Sequence, residues 1–317
     1  MATKPACKGC YKPDIAEYCA DCRMQLFRKA RVSCYLPFTL PERDQLDILS
    51  SYSKKDLRDI RIEFALQQNE NQLEPIEQRG SHILKVLPTG SFQRLEQLPA
   101  NEHLTMQIAA QIYNIYTAPS ALAFLSDENL AYLTRRIDIS ESHQYVDKYT
   151  LSQLFAQHEN LNGNDLTHIA ALLKRYLAAY KPQVEYFFSL CIFNYLFSCR
   201  RQALHQFSLV KTAEGEYLIS PAYNLLCTEL HVHSDEDPLH YMQNGDPFLR
   251  EGGYTHFDFY SFGIGIGIVP KRAQRILNRF VENELLVEYM VANSFLSDEG
   301  KTVYLEFYRE RLELLRG

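Results

Sequence analysis

Apolar and polar residues alternate with two different periods along this chain, and the period changes near residue 99. Residues 59–66, DIRIEFAL, alternate at period two, which predicts a half-buried β-strand. Residues 67–74 are polar and predict a hairpin tip, and residues 80–87 predict the returning strand. From residue 99 the apolar side chains recur three and four positions apart, which predicts an amphipathic helix. The apolar positions of this helix are Leu104, Ile108, Ala109, Ile112 and Tyr113.

The remaining pattern predicts one more strand pair and then mostly helices. The strand pair is expected at residues 121–124 and 130–133, around a polar turn. The candidate helices are residues 166–180, 186–197, 271–289 and 301–315. Residues 263–267 contain three glycines, but the third is not at the spacing of a dinucleotide-binding loop, so this stretch is interpreted as a helix-breaking turn. Strands followed by helices predict an α+β fold, with a sheet-rich lobe before a helical lobe.

Composition narrows the class of protein. The chain has 317 residues, 46% of them apolar and 23% charged, which is ordinary for a globular protein with a sizeable core. Its net charge of −6 argues against nucleic acid as a direct partner. The longest apolar stretch, residues 187–196, is too short to span a bilayer, so no membrane association is expected. The first residues lack the apolar run of a signal peptide, and we expect a cytoplasmic protein with reduced thiols.

Five of the eight cysteines lie in the first 34 residues. Cys7 and Cys10 form one CxxC motif, and Cys19 and Cys22 form a second. Each motif directs two thiolates at one metal ion, and four thiolates complete a tetrahedral zinc site. Four unrelated reduced cysteines are the alternative. The remaining cysteines are expected to be small core residues; they are Cys34, Cys191, Cys199 and Cys227.

Four stretches resemble the HipA family of bacterial serine/threonine kinases, which are the toxin halves of certain toxin–antitoxin pairs. They are HILK at 82–85, NEHLTM at 101–106, AYLTRRID at 131–138 and the flanks of 192–226. The matching flank residues are Leu196, Phe207, Ser208, Leu209, Pro221, Ala222, Tyr223, Leu225 and Leu226. The resemblance implies a bilobal protein-kinase-like fold. We expect a zinc knuckle at residues 1–34, an N-lobe at 35–138 and a helical C-lobe at 139–317.

The resemblance also implies a nucleotide site. Lys85 corresponds to the lysine that contacts ATP, and Glu102 is a carboxylate that could pair with it, as in kinases generally. An exposed strand lysine and a glutamate favoured by the helix dipole are the alternatives. The family's phosphate loop contains glycine, whereas residues 50–63 contain none, so backbone amides cannot wrap closely around phosphates. ATP is therefore a possible but doubtful ligand.

The catalytic positions depart from the family. Cys199 stands where the family has asparagine, Arg201 where it has the catalytic aspartate, and Asn224 where it has the metal-binding aspartate. Arginine has no acceptor for the substrate proton, and Cys199 and Asn224 suit Mg²⁺ less well than hard, charged oxygen ligands. No catalytic residue is expected. Lys85 and Arg201 are expected to face the inter-lobe cleft from opposite walls, with the cleft solvated or occupied by an anion.

These departures favour a pseudokinase that serves as a regulatory or interaction component of a toxin–antitoxin-type system. The alternatives are an active kinase with a rearranged site and another nucleotide-dependent transferase on the same fold. Full-length HipA proteins carry an N-terminal subdomain that is not found here, and in some related systems it is a separate polypeptide. That polypeptide or an antitoxin-like protein is the expected partner.

His231, His233 and His240 lie among acidic residues in a possible metal cluster, but a solvated loop is favoured.

Overall fold

The computed structural model describes residues 6–38, 62–77, 79–87, 92–139, 146–155, 166–199, 207–231 and 253–317. Within these residues the strands are β1 Ile62–Asn69, β2 Gln72–Ile76, β3 His82–Val86, β4 Ser120–Phe124, β5 Leu130–Arg135, β6 Lys148–Thr150, β7 Ser208–Lys211 and β8 Tyr217–Ile219. The α-helices are α1 Ala20–Phe27, α2 Leu98–Gln111, α3 Leu151–Phe155, α4 Leu166–Tyr176, α5 Tyr180–Leu196, α6 His256–Gly265, α7 Pro270–Glu282, α8 Glu284–Ala292 and α9 Asp298–Arg316. The α+β class predicted from the sequence is confirmed, with antiparallel sheets and helices.

A five-stranded antiparallel sheet forms the first lobe, in the order β2-β1-β3-β5-β4. The returning strand predicted at residues 80–87 is confirmed as β3, which is antiparallel to β1. The hairpin tip predicted at residues 67–74 was wrong, because residues 72–76 form a strand of their own, β2. The hairpin partner of β1 is β2, and β3 pairs with the opposite edge of β1. The signal was weak because β2 carries Pro75, which cannot donate to a ladder; its place in an edge strand accommodates that loss.

The N-terminal segment packs on this sheet. Tyr18 donates a hydrogen bond from its hydroxyl to Leu122 O of β4 at 2.8 Å, and Leu122 N donates to Lys8 O at 2.8 Å. Phe27 of α1 and Leu84 of β3 belong to one buried apolar cluster. The first segment therefore shares its core with the sheet.

Helix α2 lies between the sheet and the helical lobe. Every residue from 98 to 109 is buried, so the amphipathic pattern predicted for this helix was wrong. Its buried polar side chains bond to other parts of the protein, as the site below shows. One large apolar core joins Leu104 and Ile108 of α2 to Phe193 of α5 and Tyr308 of α9.

The C-terminal half contains a second sheet, with the order β6-β7-β8, that the sequence reading missed. Its strands have only three or four residues, too few to show a period.

The helix predicted at 271–289 is two helices, α7 and α8, separated at Asn283. Gly263 and Gly265 lie inside the last turns of α6, and Gly267, with φ +95°, follows the helix. No helix in the described parts of the chain is both long and apolar enough to cross a membrane.

Candidate functional site

Lys85 is held at the centre of the sheet rather than on an exposed strand face. It pairs in register with Glu63 of β1 and Tyr132 of β5, and it is only 5% exposed. Its ammonium lies 2.7 Å from Glu102 Oε1 and 3.8 Å from the half-exposed Glu63 carboxylate. The ring of Tyr132 lies 5.2 Å from the same nitrogen. A buried ammonium needs such compensation, and Glu102 provides the nearest charge.

Glu102 is positioned by the polar residues around it in α2. Asn101 donates from its side-chain nitrogen to Cys227 O at 2.8 Å and accepts from Cys227 N at 3.0 Å. Thr105 Oγ1 lies 2.9 Å from the Tyr304 hydroxyl of α9. These bonds fix the rotation of α2 against the helical lobe, so that the neighbouring Glu102 side chain faces the sheet.

Asn224 completes the cluster from the helical lobe. Its backbone has φ +57°, a left-handed conformation that asparagine tolerates better than most residues. Its side-chain oxygen accepts a hydrogen bond from Lys85 Nζ. The lysine therefore bridges Glu102 and Asn224, and it links the two lobes at the position of the proposed nucleotide site. Its positive charge is compensated by the carboxylate of Glu102, which is the pairing that the sequence suggests.

Cys199 is 2% exposed, next to the end of α5. Its backbone N–H donates to Asn194 O at 2.8 Å. The adjacent Ser198, with φ +48°, accepts at its carbonyl from Thr228 N at 3.1 Å and Thr228 Oγ1 at 2.8 Å. These hydrogen bonds hold the backbone in place immediately before the predicted catalytic loop. Arg201 itself lies outside the described residues, as do residues 50–61 of the phosphate-loop stretch.

The four N-terminal cysteines come together as their spacing predicts. The sulfur atoms of Cys7, Cys10, Cys19 and Cys22 all lie within 4.8 Å of one another. Gly9 N and Cys19 N donate to Cys7 Sγ at 3.4 Å and 3.2 Å. Hydrogen bonds from Cys10 and Cys22 hold the pKa of the Cys7 thiol well below its usual range. Four soft sulfur donors this close could hold one metal ion.

Gly9 allows the side chain of Cys22 to approach the first CxxC motif closely. A Cβ atom at this position would lie 2.6 Å from Cys22 Sγ, closer than any carbon–sulfur contact allows. The side chain of Cys22 therefore leaves no room for a bulkier residue at position 9.

A buried histidine connects this cysteine cluster to the Lys85 site. His103 lies next to Glu102 in α2, and its Nδ1 accepts from the Tyr11 hydroxyl at 2.8 Å. Its Nε2 donates to Gly9 O at 3.3 Å. Burial lowers the pKa of His103 to about 4, which matches this neutral form. The sequence reading did not single out this residue, although a histidine beside two other polar residues within a buried apolar helix was the available signal.

His231 is also buried, at 0% exposure, which contradicts its assignment to a solvated loop. Its Nε2 accepts from the Asn101 amide at 2.9 Å, and its Nδ1 donates to Gln93 O at 3.0 Å. His231 is therefore part of the support behind α2. The other members of the possible metal cluster, residues 233–240, lie outside the described residues.

A five-stranded sheet with a lysine–glutamate pair, followed by a helical lobe, defines a bilobal fold of the protein-kinase type. The model of the HipA-like C-terminal domain matches residues 59–285, so the chain belongs to the HipA-like family. No curated protein sequence matches it.

Two solved structures are similar in fold. One is the HipA toxin of Shewanella oneidensis MR-1, from a complex with HipB and operator DNA; it has 14% identity and a TM-score of 0.59, over 88% of this chain and 72% of that one. The other is the proinflammatory kinase CtkA of Helicobacter pylori, with 11% identity and a TM-score of 0.52, over 77% of this chain and 88% of that one.

Proposed function

We propose that this chain is a HipA-like pseudokinase, a regulatory or interaction protein that has lost phosphotransfer. The observation that carries this proposal is the bridge from Glu102 through Lys85 to Asn224. In an active kinase the lysine contacts phosphates and the carboxylate at the Asn224 position binds Mg²⁺. Here the neutral amide oxygen of Asn224 is bonded to the lysine instead.

The chemistry of the remaining positions supports the same conclusion. The proton of a substrate hydroxyl needs an acceptor, and Arg201, which matches the family's catalytic aspartate, has none to offer. No aspartate occurs between residues 166 and 215, so a shift of register does not supply one. Cys199 would present a soft sulfur to Mg²⁺ and is almost fully buried.

Nucleotide binding is proposed to be weak or lost. A phosphate group that reaches Lys85 has to replace its hydrogen bond to Asn224, and residues 50–63 have no glycine with which to wrap the phosphates. If ATP does bind, Lys85 and Arg201 would neutralise its phosphates directly through charge-assisted hydrogen bonds. Binding would then depend little on Mg²⁺.

The cysteine cluster is proposed to be a structural zinc site formed by Cys7, Cys10, Cys19 and Cys22. Its support is the four sulfurs gathered in one place by two short CxxC turns. When bound, zinc would cross-link two turns of a segment that has little core of its own. The protein's own residues then transmit this order to α2 through Tyr11 and His103.

A protein partner in a toxin–antitoxin-type system is proposed by analogy. The HipA toxin of Shewanella oneidensis is found together with HipB and operator DNA. For this chain the corresponding partner would be an antitoxin-like protein or a separate HipA N-terminal subdomain, and the net charge of −6 does not favour direct contact with DNA.

One observation favours the second candidate, an active kinase with a rearranged site. The Lys85–Glu102 ion pair, which active kinases require, is assembled at 2.7 Å. An assay of phosphate transfer from Mg²⁺-ATP, to the protein itself and to a general substrate, separates the two. Background transfer supports the pseudokinase, whereas transfer that Lys85→Ala abolishes supports the active kinase or another transferase.

A further inference from the structure

A broad groove separates α5 from α7 on the side of the helical lobe that the proposed function does not use. Its volume is about 830 Å³, within the range of known ligand sites. It is lined by residues of α7, by Pro182, Glu185 and Ser189 of α5, and by Asn114.

The wall formed by α7 is strongly basic. Lys271, Arg275 and Arg279 are spaced four residues apart, which places them along one helix face, and all three line the groove. Arg272 lines it too and donates from Nε to Glu185 Oε1 at 2.8 Å. With Glu185 and Glu282 as the acidic members, four cations face two carboxylates, an excess of two positive charges in a chain whose net charge is −6.

Three of these cations are available to a ligand. None of the acidic side chains that the structure describes forms an ion pair with Lys271, Arg275 or Arg279. Lys271 and Arg275 are exposed. The Nε atom of Arg279 is buried without a hydrogen-bond partner among the described residues, and a buried guanidinium donor in that state costs free energy that an acceptor would recover.

An exposed apolar patch adjoins the groove. Glu282 and Asn283 line the groove, and α8 begins at the next residue. Its outer face carries Leu285, Leu286 and Tyr289, which are 79%, 54% and 68% exposed. Large apolar side chains grouped on one helix face are typical of protein-binding surfaces.

We propose that the groove and the α8 patch form one docking surface for an acidic, amphipathic segment of a partner protein. The cations would bind its carboxylates, and the patch would cover its apolar side chains. Gln274 Nε2 donates to Asn278 Oδ1 at 2.7 Å, so Gln274 Oε1 and Asn278 Nδ2 are the amide atoms that could bond the backbone of the segment. This deepens the proposed function, on which it rests only for the existence of a protein partner. A nucleic-acid strand fits less well. Glu185 and Glu282 would repel its phosphates, and a sugar–phosphate backbone has no apolar side chains that could pack against Leu285 and Leu286.

The test is fluorescence anisotropy of the full chain with a short fluorescein-labelled peptide in which Glu and Leu form the two faces of a helix. Arg275→Glu is expected to weaken binding by about threefold to tenfold, since it removes one attraction and adds one repulsion. Leu285→Ser should also weaken peptide binding, and because the lost contact is apolar, the size of this loss should not depend on the salt concentration. Arg175→Glu, an exposed arginine of α4, and Tyr35→Ser, an exposed aromatic of the first lobe, are the matched controls and should bind as the unchanged chain does.

Three outcomes would overturn the docking surface. They are no peptide binding, equal binding of a peptide with Lys in place of Glu, and tighter binding of a single-stranded oligonucleotide that also depends on Arg275. Circular dichroism of each variant excludes unfolding as the cause. Phosphate transfer by the chain would refute the pseudokinase but leave this result unchanged, so the two proposals fail separately.

Discussion

Lys85 of the sheet donates a hydrogen bond to the side-chain oxygen of Asn224 in the helical lobe. Because the same ammonium is paired with Glu102 at 2.7 Å, one buried lysine ties together β3, α2 and the segment that carries the family's metal-binding position. Under the proposed function, this contact lies where an active kinase would hold phosphate and metal between the lobes.

The buried pair should dominate the stability of this junction. Lys85→Met leaves the Glu102 carboxylate buried without its cation, and we expect a loss of about 3–5 kcal/mol in the free energy of unfolding. The double variant Lys85→Met with Glu102→Gln should recover part of that loss. Lys301→Met is the matched control, since its partner Asp298 is fully exposed, and should change stability by less than about 1 kcal/mol. Denaturant unfolding measures all three; a double variant that is no more stable than Lys85→Met would contradict a coupled pair.

The four-cysteine cluster is expected to bind one zinc ion per chain. Elemental analysis of protein purified without chelator is expected to find about one zinc per chain. Cys22→Ser should lose the metal, whereas Cys34→Ser, a buried cysteine outside the cluster, should keep it. Reduced, chelator-free protein without metal would refute the site.

Loss of the metal should also destabilise the parts of the protein that pack against the N-terminal segment. Residues of the segment share an apolar cluster with the sheet, and His103 of α2 bonds to Gly9 and Tyr11. We therefore expect Cys22→Ser to lower the thermal midpoint of the sheet-rich lobe as well as to loosen the N-terminal segment. Hydrogen exchange at the amides of α2 would show whether the effect reaches that helix.

Two buried histidines should make the fold sensitive to acid. Burial lowers the pKa of His82 and of His103 from 6.5 to about 4, and both rings are hydrogen-bonded as neutral groups. Below about pH 6.5 the unfolded chain binds protons that the folded chain binds only near pH 4. Stability is therefore fully present above pH 6.5 and falls as the pH drops from 6.5 toward 4, by up to about 3 kcal/mol for each histidine.

Replacement of one histidine tests this pH dependence. In His82→Gln the side-chain amide can still donate to Leu26 O, but it does not titrate. The slope of unfolding free energy against pH should become shallower between pH 6.5 and 4. The unchanged chain, measured over the same pH range, is the control. An unchanged slope in His82→Gln would show that this histidine titrates alike in both states.

Much of the site could be predicted from the sequence, because the resemblance to the family aligned individual residues of this chain with the family's motifs. HILK and NEHLTM placed Lys85 and Glu102 at positions that the fold brings within 2.7 Å, and two CxxC motifs placed four sulfurs together. Strands β4 and β5 followed from their pattern alone. The N-lobe strand order did not, because pairing of β3 with both β1 and β5 is a long-range property that local periodicity does not encode.

The supporting residues were harder to predict. Asn101, His103 and His231 are buried, and their hydrogen-bond partners come from distant parts of the chain. A polar residue in a helix normally indicates a solvated face, so the pattern favoured an amphipathic α2. Only the tertiary packing on both sides of α2 explains why each polar group finds a partner inside.

Nucleotide binding tests the role of Asn224. Calorimetry of ATP with the unchanged chain should give little or no heat, and any binding should be nearly the same with and without Mg²⁺. Asn224→Asp restores a hard, charged oxygen and is expected to make whatever binding occurs more dependent on Mg²⁺. Strict Mg²⁺ dependence in the unchanged chain would contradict direct neutralisation of the phosphates by cations.

The transfer of phosphate from Mg²⁺-ATP tests the loss of catalysis most directly. Radiolabel incorporated into the protein and into a general substrate should be at background, and equal to that of Lys85→Ala. An intact relative with its catalytic aspartate, assayed alongside, shows that the conditions support transfer. Robust incorporation by this chain that Lys85→Ala abolishes would contradict a pseudokinase.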